Sequence, residues 1–148
     1  MAFWLLGGFS GGGKPATGPV TVTPPPTGST QVDTVCRALL AALPDTLDGK
    51  RQRQVSAAAE RVAAWGDPPI VLRCGVAARP APDPTALVLG VNGVDWVTTE
   101  ENGATVWTTV SRSVTVEVRI PAKYADGAGD AIINPLTGPL RTAVPAAR

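Results

Sequence analysis

The chain has 148 residues and a formal net charge of +1, with 44% hydrophobic and 17% charged residues. This length fits one ordinary domain with a core, and the near-neutral charge gives no field that would gather nucleic acid or an anionic membrane. Histidine is absent and cysteine occurs twice. Those counts exclude Ser-His and Cys-His nucleophile pairs, and they exclude a zinc site built from four Cys or His ligands of one chain.

Residues 1–6 contain the apolar fragment AFWLL, which admits two interpretations. A membrane-spanning helix needs roughly 20 apolar residues, so the fragment is either an ordinary chain start or the remnant of a membrane anchor or signal. Residues 7–32 consist mainly of Gly, Pro, Thr and Ser and predict a tether. Because such a tether would hold a domain away from a membrane, we favour the anchor remnant.

One stretch of the tether has the spacing of a nucleotide-binding motif. Residues 8–14 read GFSGGGK and match the pattern G-x-x-x-x-G-K of a phosphate-binding loop. The next residue is Pro15 and not the Ser or Thr that holds magnesium, and nearby prolines exclude the helix whose N-terminus would bind the phosphates. We therefore predict that the chain binds no nucleotide.

We predict a single globular domain over residues 33–134, which begins with a helix. Asp33 or Thr34 can cap this helix, and apolar residues then recur at three- and four-residue spacing until Pro44 ends it. A polar loop over residues 45–54 follows, with Asp48-Gly49 as a turn signal.

Residues 56–65 fit two structures. The alanines, with Ser56 as a cap, favour a helix that ends at Gly66. Alternatively, residues 62–65 form a strand that turns at the sequence GDPP and pairs with the apolar run of residues 70–74. The sequence leaves both structures open.

The clearest strand signals lie between residues 87 and 120. Asn92-Gly93 is the strongest short hairpin signal, because both residues tolerate positive φ, and Asn102-Gly103 makes a second turn. The later sequence VTVEVRI alternates apolar and polar residues, which is typical of a sheet with one face in water.

These patterns predict an α+β fold. Its sheet is an antiparallel meander of about four strands, or five if residues 70–74 join, with the N-terminal helix linked to it. A short C-terminal helix around residues 128–133 can pack on the end of the sheet. The tail, residues 135–148, contains three prolines and is expected to be loosely ordered.

The two cysteines are Cys36, on the predicted first helix, and Cys74, at the end of the strand over residues 70–74. As free buried thiols they would suit a cytosolic protein. As a disulfide they would close a loop of about 40 residues and stabilise the fold by roughly 4 kcal/mol. We predict the disulfide, because each cysteine lies in a core element and a tether precedes the domain. A disulfide places the domain outside the cytoplasm.

Three stretches of the chain carry a resemblance. In order they read CRALLAALPDTLDG, AAWGDPPIVLRCG and VNGVDW, and they resemble an actinobacterial family of small envelope proteins catalogued as a domain of unknown function, family thirty-five fifteen. The resemblance covers residues 35–120 and implies an N-terminal membrane anchor or export signal, an extracytoplasmic domain and no assigned activity. The chain departs from the family pattern in lacking a full anchor and in the alanine-rich residues 57–64, where relatives carry proline.

Carboxylates are the remaining candidates for chemistry. Asp67 lies two residues after Trp65 and Asp95 lies next to Trp96, and an acid beside an aromatic ring is typical of a sugar-binding site. A glycosidase needs two carboxylates about 5–9.5 Å apart, and Glu117 is a third candidate. The structural interpretation is that both aspartates lie at turns and both tryptophans lie in the core.

Together these observations favour a non-enzymatic module without a cofactor. We expect a membrane-tethered, extracytoplasmic domain of the cell envelope that binds an envelope protein, glycan or lipid, or that serves as a structural accessory subunit. We expect no nucleic-acid partner. The alternative is a carboxylate-dependent hydrolase or transferase that acts on envelope glycans through Asp67, Asp95 or Glu117.

Overall fold

The computed structural model describes residues 18–25, 29–77 and 88–146, and of residues 125–128 and 130 the backbone alone. Within these ranges two helices flank eight strands. The helices are α1 (Thr30–Ala42) and α2 (Ala122–Ala143). The strands are β1 (Thr46–Leu47), β2 (Lys50–Arg53), β3 (Val62–Trp65), β4 (Ile70–Cys74), β5 (Val88–Val91), β6 (Val94–Glu101), β7 (Ala104–Val110) and β8 (Val116–Ile120). The α+β class agrees with the sequence-based expectation, but the sheet has eight strands where four or five were expected.

The eight strands form one antiparallel sheet in the order β1-β2-β3-β4-β8-β7-β6-β5. Strands β1–β4 and β5–β8 are each connected in sequence, and the two halves join where β4 pairs with β8. In this central pair Val71 lies opposite Arg119, and Cys74 lies opposite Val116. The apolar run of residues 70–74 therefore joins the sheet at its centre.

The two predicted Asn-Gly turns are confirmed. Asn92-Gly93 connects β5 to β6 with φ angles of 49° and 86°, and Asn102-Gly103 connects β6 to β7 with 52° and 81°. Turns with positive φ at both central residues match the right-handed twist of the paired strands. Local turn chemistry therefore sets the register of the meander.

The segment predicted as a polar loop, residues 45–54, instead holds the strands β1 and β2, and the turn predicted within it is confirmed as a third turn of this kind. Asp48 and Gly49 have φ angles of 49° and 80°. The prediction of a loop was wrong because Leu47 is the only fully buried side chain of this hairpin. A strand with so little buried surface carries no alternating apolar pattern.

The strand interpretation of residues 62–65 is correct, and the helix interpretation is wrong. Strand β3 lies between β2 and β4, and all four of its side chains are buried. The sequence VAAW shows no alternation because both faces of this strand are covered. The helix propensity of alanine is outweighed by the pairing with its two neighbours.

The sheet has two different faces. On the face that we call the helix face, alternate side chains of β4 and β8 pack with both helices and form the core. The other face, which we call the open face, carries the intervening half-buried residues of the same strands, namely Val71, Arg73, Glu117 and Arg119. The main core residues of the helix face are Leu39, Trp65, Ile70, Leu72, Trp96, Val118, Ile120, Ile132, Leu136 and Leu140.

The first helix begins earlier than the predicted cap at Asp33 or Thr34. Helix α1 starts at Thr30, because the hydroxyl of Ser29 accepts a hydrogen bond of 3.2 Å from the Val32 N–H and caps the helix. Within the predicted tether, Val20 is buried and forms a parallel bridge with Val55. We call residues 18–25 the strap.

The C-terminal prediction is also corrected. Helix α2 covers Ala122–Ala143, where a short helix over residues 128–133 and a loosely ordered tail over 135–148 were expected. Pro135 and Pro139 lie inside this helix, and an interior proline is unfavourable by about 3 kcal/mol. The helix continues because apolar side chains at roughly four-residue spacing enter the core, namely Ile132, Leu136, Leu140 and the following Val144.

The anchor remnant at residues 1–6 and the motif GFSGGGK at residues 8–14 fall outside the described residues, as do residues 7–17 and 26–28 of the predicted tether. In the part of the chain that the structure describes, no helix combines the length and the apolar character that a membrane crossing requires.

Candidate functional site

The predicted disulfide is confirmed and lies inside the core. Cys36 of α1 and Cys74 of β4 are bonded, their Cα atoms are 5.7 Å apart, and both side chains are 0% exposed. The close approach of helix and strand continues at Gly75, where a Cβ atom would lie 2.9 Å from Cγ1 of Val32. The bond therefore fixes α1 against the central strand pair, on the helix face of the sheet.

The two tryptophans predicted as ligand-stacking candidates are core residues. Trp65 and Trp96 are both 0% exposed. The Trp65 indole donates a 3.0 Å hydrogen bond to the carbonyl of Pro44. Trp96 packs edge-to-face on Trp107, with ring centroids 6.0 Å apart, and its indole N–H has no hydrogen-bond partner in the part of the chain that the structure describes. Neither ring presents a face on which a sugar could stack.

The structure does not bring Asp67 and Asp95 together. Asp67 lies in the β3–β4 turn, at the end of the sheet where Ile120 pairs with Thr105. Asp95 pairs with Val110. At the usual rise of a strand, Val110 lies about 17 Å from Thr105 along β7. Two strands also separate β4 from β6. The pair thus lies far outside the separation of about 5–9.5 Å that glycosidase carboxylates need.

Asp67 has neighbours that its sequence position does not indicate. Its carboxylate lies 3.9 Å from Nη1 of Arg53 and its side chain is 55% exposed. Tyr124 of α2 lies beside the same turn, and burial raises the pKa of its hydroxyl, with a further increase from the charge of Asp67. The Lys50 ammonium lies 4.5 Å from the centre of the Tyr124 ring. These contacts attach the turn to β2 and α2.

A matched pair of substitutions tests the assignment of both tryptophans to the core. We expect Trp65→Phe to lower the free energy of unfolding by about 1–3 kcal/mol more than Trp96→Phe. The reason is that Trp65→Phe leaves the half-buried Pro44 carbonyl without its donor, whereas Trp96→Phe removes an N–H that has no partner among the described residues. Urea denaturation followed by circular dichroism measures both values, and equal losses would contradict the hydrogen-bond argument.

A concave surface with paired charges lies on the open face. It is a groove of about 620 Å³. Its floor consists of Val71, Arg73, Glu117 and Arg119, from the central pair β4 and β8. The strap residues Thr21–Thr23 form one wall, the β6–β7 turn at Glu101 and Asn102 forms the other, and Pro69 and Pro121 close one end. The volume lies within the range of about 300–1,000 Å³ typical of ligand pockets.

The two arginines of the floor differ in how firmly they are paired. Arg73 donates from Nε to Glu117 Oε2 at 2.9 Å, its Nη2 lies 2.8 Å from the same oxygen, and its Nη1 donates to the Thr23 carbonyl at 3.2 Å. Arg119 donates from Nη2 to the Glu101 backbone carbonyl at 3.1 Å, but its Nη1 lies 3.8 Å from the Glu101 carboxylate. That distance is too long for a hydrogen bond.

The strap is held on the open face by hydrogen bonds of its backbone. The Val20 N–H donates to the Gln54 carbonyl, and the Val20 carbonyl accepts from the Ser56 N–H, both at 2.8 Å. Arg53 donates from Nη2 to the Gly18 carbonyl at 2.8 Å. The sheet therefore already binds one extended segment of polypeptide at this face.

Sequence reasoning identified one residue of the groove, Glu117, and missed Arg73, Glu101 and Arg119. The signal was present in part, because the sequences IVLRC and VEVRI each alternate apolar and polar residues. What the sequence could not supply was the pairing of β4 with β8, which places these polar residues side by side. Among the described side chains, no three His, Cys, Asp or Glu residues come together as ligands for a metal ion.

One family matches the chain over residues 6–148, and its description reads "Protein of unknown function (DUF3515)". No curated protein matches the chain, and no solved structure matches it.

Proposed function

Since the chain belongs to the DUF3515 family, whose description assigns no function, we propose from the geometry that it is a non-enzymatic binding or accessory module of the cell envelope. It works outside the reducing cytoplasm, held near the membrane by a segment that precedes the strap. The observation that carries this proposal is the buried disulfide between Cys36 and Cys74. Disulfides persist in oxidising compartments and are rare in the cytosol.

The groove supports binding over catalysis. Its two carboxylates, Glu101 and Glu117, each lie next to an arginine, and Arg73 also attaches the strap. The groove therefore offers fixed donors and charges for recognition. The alternative, a carboxylate-dependent hydrolase or transferase acting on envelope glycans, would need two carboxylates at one bond of the substrate. The separation of Asp67 from Asp95 argues against that pair.

Thiol trapping in cells of the native host tests the compartment. We expect that the full-length protein, denatured in acid and treated with a maleimide without prior reduction, takes up no label. After reduction it should take up two labels, one for each cysteine. A Cys36→Ser variant, which leaves Cys74 unpaired, is the control and should label without reduction. Labelling of both cysteines in the unreduced wild-type protein would contradict an oxidising compartment.

Crosslinking of the full-length protein in its native membrane tests the binding role. We expect a specific envelope component to co-purify with the wild-type protein and to be reduced in amount for a variant altered in the groove, Arg119→Gln. Release of sugar fragments from envelope glycans by the purified protein, abolished by Asp67→Asn or Asp95→Asn, would instead support the hydrolase alternative.

A further inference from the structure

We propose that the groove on the open face binds an extended peptide that carries an acidic side chain. The peptide lies beside the strap and pairs with its backbone, and its carboxylate binds Arg119. This inference rests on the proposed binding role and assigns to it a site and a class of ligand.

The first argument comes from the backbone of the strap. In an extended chain the N–H and C=O groups of successive residues point to opposite sides. Val20 and Val22 direct theirs toward residues 54–56, where the Val22 N–H donates to Ser56 Oγ at 3.1 Å. Thr21 therefore directs its N–H and C=O to the opposite side, where it forms a wall of the groove.

These two backbone groups are available for pairing. Among the described residues, neither the N–H nor the C=O of Thr21 has a hydrogen-bond partner. A free N–H and C=O on one extended residue is the arrangement that a second strand uses when it adds to an exposed edge. A peptide that accepts from the Thr21 N–H and donates to its carbonyl would lie over the floor of the groove.

The second argument comes from the charge on the floor. Each of the three guanidinium nitrogens of Arg73 has a partner, because Glu117 binds Nε and Nη2 and the strap carbonyl of Thr23 binds Nη1. Arg119 is held in position by one backbone carbonyl, and its guanidinium side chain is 37% exposed. Among the described side chains, the carboxylate paired with it is that of Glu101, which lies 3.8 Å from Nη1 and thus beyond hydrogen-bond distance. An arginine with a fixed orientation and unused donors suits a carboxylate, which it can bind through two parallel bonds.

The third argument explains why the groove would bind a peptide in preference to a free anion. Val71 lies on the floor beside Arg119, and Pro69 and Pro121 close one end. This apolar surface gives no energy to a small anion, but it can pack against the side chains that an extended peptide directs toward the sheet. Recognition therefore combines backbone pairing at Thr21, apolar contact at Val71 and one charge contact at Arg119.

The test is a titration of the purified protein with the blocked peptide Ac-Thr-Val-Asp-Val-Thr-NH2, followed by amide chemical shifts. We expect shifts at the strap and at β8, and about tenfold weaker binding of the matched peptide with Asn in place of Asp. Equal affinity for the two peptides, or shifts that acetate alone reproduces, would overturn the proposal.

Two pairs of variants locate the contacts. Thr21→Pro removes the N–H that faces the groove while an extended φ is retained, so it should weaken binding about fivefold, and Thr21→Ala should not. Arg119→Gln should remove the preference for the Asp peptide, whereas Arg37→Gln, on the exposed surface of α1, should keep it. Thermal unfolding of each variant establishes that it is folded.

The outcomes separate this inference from the proposed function. Peptide binding that is weakened in Thr21→Pro, and that no longer favours the Asp peptide in Arg119→Gln, supports both. Suppose that neither peptide shifts the amide signals of the wild-type protein, while crosslinking in the native membrane still recovers a component. The groove is then not a peptide site, and the binding role stands.

Discussion

Replacing the disulfide by Cys36→Ala/Cys74→Ala is expected to lower the free energy of unfolding by about 4 kcal/mol. The bond closes a loop with a sequence separation of 38, and a loop of that size restricts the unfolded chain by roughly this amount. A typical domain is stable by only about 5–15 kcal/mol. The double variant should therefore be marginally folded, and urea denaturation in the absence of reductant measures the difference.

Single variants provide the control for this experiment. Either cysteine alone cannot form the bond, so Cys36→Ala should be destabilised nearly as much as the double variant. Both side chains are 0% exposed, so a small cavity adds to the loss at each position. A double variant destabilised by less than about 1 kcal/mol would show that the bond adds little to the packing of α1 on β4.

The features that sequence reasoning predicted correctly depend on local chemistry. The turns at Asn92-Gly93 and Asn102-Gly103 require positive φ, which Asn and Gly adopt at low cost, so two residues were enough to place each hairpin. The alternation of VEVRI follows from the pleat of one strand with one wet face. The disulfide was predicted from the count of two cysteines, their positions in core elements and the tether that precedes the domain.

The features that sequence reasoning missed depend on contacts between distant parts of the chain. The sequence VAAW looks helical by propensity, and it is a strand because β2 and β4 lie on either side of it. Val20 lies among Gly, Pro and Thr residues, and it is buried because it pairs with Val55. Neither the pairing of β3 with its two neighbours nor that of Val20 with Val55 can be recognised from the adjacent residues in the sequence.

The candidate site was missed for the same reason. Trp65 and Trp96 stand out in the sequence because they are large and lie near acids, yet both are core residues. The groove is assembled from the strap, β4, β8 and the β6–β7 turn, which are separated along the chain. Its charges become neighbours only through the pairing of β4 with β8.

Helix α2 is the element for which sequence and structure disagree most, and Leu140→Ala tests it directly. Leu140 is 0% exposed in the core between the helix and the sheet. We expect Leu140→Ala to lower the free energy of unfolding by about 2–5 kcal/mol, the range for large apolar residues truncated in a core. Denaturation in urea, followed by circular dichroism, provides the measurement.

The matched control for Leu140→Ala is Thr142→Ala, two residues further along the same helix. Thr142 is exposed, and alanine has the higher helix propensity, so this change should leave stability unchanged or raise it by a few tenths of a kcal/mol. If Leu140→Ala were as mild as Thr142→Ala, residues from Pro135 onward would behave as the loosely ordered tail that their prolines predict. A large difference between the two variants means that burial of Leu140 and its neighbours offsets the two interior prolines and makes α2 part of the core.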